Sequence, residues 1–127
     1  MGSYKTDGSG KQVKLEVSVV SPGDAAALVF IDGVMALESQ PNFGGNIPAT
    51  KVGDNSSLKG KLLKVQMATD LTTIDENNRK RALDMIKVTS TLEGGPEGVK
   101  HFPSFTTERE IIGNNEQVIY TKEINIK

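Results

Sequence analysis

The chain reads as all-β: an antiparallel β-sandwich, Ig-like or jelly-roll-like, with roughly six to eight strands and little or no helix. Three observations carry that prediction. Apolar and polar residues alternate with a period of two in Lys11–Val20, in Leu63–Leu71 and in Val118–Ile126, as in strands that bury one face. Turn-forming clusters separate these runs: Ser21-Pro22-Gly23-Asp24, Asp32-Gly33, Gly94-Gly95-Pro96 and Gly113-Asn114-Asn115. No helical stripe longer than two turns stands out between them, so a parallel α/β sheet is disfavoured.

Taken in order, residues 1–10 are small and polar and are expected to form a flexible N-terminal arm, with residues 11–127 as one β-sandwich domain. In Lys11–Val20, Val13, Leu15, Val17 and Val19 face one way, while Lys14, Glu16 and Ser18 face the other. The apolar run Ala26–Ile31 and the segment Val34–Ser39 flank Asp32-Gly33, the sequence of a type I′ turn, and are predicted to pair as a hairpin. Gln40–Ser57 holds Pro41, Gly44, Gly45, Pro48 and Gly53 and is predicted to be a long crossover loop between the two sheets, pinned by Phe43.

Gly60–Gly95 is predicted to be one long β-hairpin turning at Asp75-Glu76-Asn77-Asn78. A helix within Thr73–Val88 competes with it, having Thr73 as cap, Glu76 three residues later, and Ala82, Leu83 and Ile86 on one stripe. The strand-forming Thr89-Ser90-Thr91 tips the reading to strand. Val99–Glu110 is ambiguous, and Pro103 marks it as an edge or a kink. In the last strand, Gln117–Lys127, Lys122 falls on the same face as Val118, Tyr120, Ile124 and Ile126. A bulge would resolve that conflict, as would a buried stem with its ammonium in water. This terminal strand is also expected to be free to pair with a partner's sheet.

Composition narrows the function classes. With 127 residues, 36% of them hydrophobic and 24% charged, the chain is long and apolar enough for one core. A net charge of -1 provides no field for a nucleic-acid backbone or an anionic membrane surface. The absence of cysteine excludes disulfides and thiolate sites and leaves the compartment open. No apolar run reaches the roughly 20 residues of a spanning helix. Met1-Gly2-Ser3 shows no leader-like apolar core, and it equally fits a remnant that replaced one.

Chemistry-bearing motifs are sparse. His101 is the only histidine, which excludes a His–His metal pair, and no serine sits in a nucleophile elbow. Asp70, Asp75, Glu76 and Asp84 are interleaved with Arg79, Lys80 and Arg81 and read as solvated turn charges. Gly8-Ser9-Gly10-Lys11 lacks the strand and spacing of a phosphate-binding loop. Calcium is the one cofactor worth weighing, because Asp7–Gly10, Gly53–Ser56 and Asp75–Asn78 each offer loop oxygens, but turn chemistry alone accounts for them. Asn55-Ser56-Ser57 is a glycosylation sequon of a kind that arises by chance.

The expectation is therefore a non-enzymatic binding or assembly module with no required cofactor, acting on a protein partner or on itself through loops or sheet edges. A lectin-like carbohydrate-binding module, calcium-assisted or not, is the alternative, and a small hydrolase the next. Phe43, Asn46, Asp54 and Asn55, all in the Gln40–Ser57 stretch, are the candidate binding residues.

Overall fold

The computed structural model describes residues 2–127 and consists mostly of strands in two packed sheets. The strands are β1 (Gly2–Tyr4), β2 (Gln12–Val20), β3 (Asp24–Ile31), β4 (Val34–Glu38), β5 (Ile47–Asp54), β6 (Leu62–Asp70), β7 (Lys87–Gly95), β8 (Gly98–Pro103), β9 (Arg109–Ile112) and β10 (Gln117–Ile126). Two short helices, α1 (Asn55–Leu58) and α2 (Arg79–Met85), interrupt them. Sheet A has six strands, ordered β1-β10-β6-β3-β4, with β9 beside β1 on the same flank of β10; sheet B has four, ordered β5-β2-β7-β8. The all-β sandwich expected from sequence is the fold observed, with short edge strands raising the strand number above six to eight.

The core is the sum of the alternating faces. Val13, Leu15, Val17 and Val19 of β2 meet Leu63, Val65 and Met67 of β6 and Val118, Tyr120, Ile124 and Ile126 of β10, all buried. The type I′ turn forms as expected: Asp32 and Gly33 take φ of 49° and 81°, and β3 pairs antiparallel with β4. The Asp32 carboxylate then accepts the Leu62 N–H at 2.8 Å, tying this turn to the start of β6.

Five expectations need correction. Gly60–Gly95 is not a hairpin: β6 lies in sheet A between β3 and β10, whereas β7 lies in sheet B between β2 and β8. Each arm has one apolar face, and both faces are covered when the arms stand on opposite sides of the core. The link between them is the helix that the Ala82-Leu83-Ile86 stripe suggested, and it buries Ala82 and Leu83. Secondly, Gln40–Ser57 is not a loop throughout. Only residues 39–46 are irregular; β5 and α1 fill the rest, although the segment does cross from sheet A to sheet B as expected.

The two termini supply the other corrections. Gly2–Tyr4, expected within a flexible arm, forms a parallel edge strand on β10 (Met1 lies outside the described residues). Tyr4 is fully buried; its hydroxyl donates to Gly98 O at 2.6 Å and accepts from Gly95 N at 2.8 Å. Burial raises the Tyr4 pKa. The terminal strand β10 is not free for a partner, because β6 covers one flank and β1 and β9 share the other. Its Lys122 needs neither a bulge nor water. The pairing with β6 runs unbroken, and the buried ammonium meets the Glu108 carboxylate at 3.2 Å beneath the Phe105 ring.

Candidate functional site

The four residues singled out from sequence fall at opposite ends of β5, separated along an eight-residue strand by roughly 20 Å. Phe43 and Asn46 belong to the loop before it; Asp54 ends the strand and Asn55 opens α1. The structure brings them together in pairs, not as a quartet.

The Asp54–Asn55 end is closed. Asn55 is fully buried, and its amide group donates to Lys11 O at 2.9 Å and to Gly94 O at 3.1 Å while accepting the Asp7 N–H at 3.2 Å. One asparagine thus ties three distant segments. A glycine is required at position 94 because φ there is +106° and a Cβ would collide with the Gln12 carbonyl. Ser56 N donates to Ser9 O at 2.9 Å, and the Asp7 carboxylate caps Ser9 N at 2.9 Å, which with the Ser9 side chain lowers the Asp7 pKa. Two of the loops weighed for calcium, Asp7–Gly10 and Gly53–Ser56, are therefore laced to each other. Asp54 is ion-paired with Lys51 at 3.4 Å. Among the described residues no three His, Asp or Glu side chains converge as metal ligands. The Asn55 sequon is sealed by the burial of its own amide.

The Phe43 end is open. Asn46 folds back on the scaffold, accepting the Val19 N–H at 2.8 Å and donating to Phe43 O at 2.9 Å. The 39–46 loop is thereby fixed against β2 instead of hanging free. Gly44 and Gly45, with φ of 62° and 82°, let the backbone turn back within it. The consequence for Phe43 is the reverse of a pin: the residue is 62% exposed. It overhangs a groove of about 460 Å³ lined by Glu16, Val17, Ser18, Gln40, Asn46, Ile47 and Pro48. The groove offers an apolar ring and a proline, with one carboxylate and two amides around them.

Gln40 and Pro48 lie within the Gln40–Ser57 stretch without having been singled out, and Glu16 and Ser18 were not candidates on sequence grounds. Glu16 and Ser18 showed only the ordinary signal of an outward-facing strand position. Their value comes from the pairing of β2 with β5, which places the 39–46 loop above them. His101 stands exposed on β8, with its Nδ1 2.9 Å from Thr91 Oγ1.

The strand edges are blunted. Ala36 is the extra residue of a bulge where β4 pairs with β3, and β5 breaks register with β2 twice and carries Pro48 and Lys51. β8 breaks register with β7 and ends in Pro103, while β9 has only four residues, with Arg109 and Glu110 among them. Bulges, prolines, charges and short length each hinder strand addition. Among the described residues no helix is long and apolar enough to cross a membrane. No protein-family description matches the chain, and neither a curated protein nor a solved structure is significantly similar to it.

Proposed function

We propose that this protein is a non-enzymatic binding module that grips a protein partner through the groove beside the 39–46 loop, with Phe43 as the anchor. The observation that carries this reading is the exposed Phe43 side chain, on a loop whose backbone is tied to β2, beside a partly apolar groove. An exposed large apolar side chain normally signals little when alone. Here the loop bearing it is held in place by Asn46, so a ligand would meet a formed site and lose little ordering entropy. The blunted edges direct the reading to this loop and away from strand addition. A protein ligand is favoured over a sugar because the groove has one phenylalanine, without a polar edge, and no second ring to continue a stacking platform.

The experiment is to pan a random-peptide phage library against the wild-type protein and against Phe43→Ser. Enrichment on the wild type that disappears with Phe43→Ser, while thermal stability is retained, supports the reading. Enrichment that survives the substitution moves the site elsewhere and overturns it.

A further inference from the structure

We infer that the Phe43 groove continues across sheet B as one trough, and that its ligand is an extended basic segment of a partner protein flanked by apolar side chains, with Glu16 meeting the cation. The inference rests on the protein-binding reading above and specifies the chemistry of the ligand.

Two depressions on the outer face of sheet B share Glu16. One is the Phe43 groove; the other, of about 230 Å³, adds Ala49, Thr91, Glu93, Val99 and His101. Register makes them continuous. Glu16 pairs with Thr91, and Thr91 pairs with His101, so these side chains form one row across β2, β7 and β8. A row crossing all four strands of sheet B spans about 14 Å at the usual inter-strand spacing, the length of about four extended residues. Its ends are apolar: Phe43 and Pro48 on the β5 side, and Val99, 59% exposed, on the β8 side.

The middle is acidic. The lining contains Glu16 and Glu93 and no lysine or arginine. The ion pairs among the described residues join Lys51 to Asp54, Lys100 to Glu97 and Lys122 to Glu108, which leaves Glu16 with only the Ser18 hydroxyl, at 3.4 Å. The basic residue nearest in sequence, Lys14, lies two positions along the same face of β2, in register with Glu93 and forming no ion pair with it or with Glu16. A lysine or arginine crossing the trough would find a carboxylate that has no ion-pair partner, where an acidic side chain would be repelled. That asymmetry selects the ligand's charge, while the two apolar ends select its flanks.

The test extends the panning to Glu16→Gln, with enriched peptides resynthesised and titrated by fluorescence polarisation beside a glycan array. Enriched sequences should carry lysine or arginine between apolar residues, and Glu16→Gln should weaken them roughly five- to tenfold. Replacing the peptide's basic residue with glutamine should produce the same loss, with no further loss on Glu16→Gln. Enrichment that depends on Phe43 but shows no basic preference, or is indifferent to Glu16→Gln, overturns the inference and leaves the Phe43 site standing. An absence of Phe43-dependent enrichment, or binding to a glycan instead, overturns both.

Discussion

The two ends of β5 start from the same kind of sequence and finish as opposites. Each offers an asparagine beside glycines in a polar stretch. At the Asn55 end the amide is buried, and both its donor hydrogens and its oxygen are directed at backbone from remote segments. At the Asn46 end the amide also serves the backbone, but it thereby holds a loop whose aromatic residue projects outward. One asparagine closes a joint and the other displays a side chain. The difference teaches that a loop rich in Asn, Asp and Gly becomes a candidate site only where its self-satisfaction leaves something over.

The sharpest way to break the comparison is at Asn55. Asn55→Ala would remove the amide partner of the Gly94 carbonyl and of the Asp7 N–H in this part-buried joint, and would leave the Lys11 carbonyl with only the backbone N–H of residue 55. The expected loss is about 3 kcal/mol, read as a lowered midpoint in urea denaturation. An effect under about 1 kcal/mol would mean that water replaces the amide and that the end is not sealed. Gly94→Ala attacks the same joint through the backbone, since residue 94 has a positive φ and faces the Gln12 carbonyl. The expected cost is about 2 kcal/mol, again from the denaturation midpoint.

pH separates the ends more gently. The Asp7 pKa is lowered below its ordinary 3.8 by the Ser9 hydroxyl and backbone N–H. A carboxylate with a depressed folded pKa stabilises fully above its unfolded value, and the contribution fades as pH falls through the folded one. Thermal melts of Asp7→Asn should therefore show a flatter loss of stability than wild type below about pH 4. Tyr4, next to the same joint through Gly95 and Gly98, acts on the other limb. Its raised pKa makes its contribution complete below the ordinary 10.0 and lost as pH rises beyond that. The wild type should consequently lose stability more steeply above pH 10 than Tyr4→Phe, which has no phenol to ionise.

Much of the scaffold was legible, because alternation states which face of a strand is buried. β2, β6, β10 and the Asp32-Gly33 turn follow directly from it. Alternation is silent about partners, however, so the arms flanking Asp75–Asn78 looked paired although they belong to different sheets. Lys122 looked like a misfit because Glu108, which neutralises it, arrives from the far side of the β9 hairpin. The site was half legible for the same reason. Phe43 and Asn46 were visible as unusual residues in a long polar stretch, whereas Glu16 became part of the site only when β5 and the 39–46 loop were laid against β2. Asn55 resembled Asn46 in local sequence, and only contacts 39 to 48 residues away in the chain distinguish them.

The smallest expected effect is the one the functional reading needs most. Phe43 is 62% exposed, so Phe43→Ser removes little buried apolar area. The groups that fix its loop are the Asn46 amide and the backbone, which the substitution leaves in place. Stability should therefore change by less than about 0.5 kcal/mol, the usual range for a surface position. If the melt drops by several degrees, the ring is packing against the sheet in solution, and Phe43 is a pin after all. If the melt is unchanged, the exposed ring is not there for folding and is available for the contact proposed above.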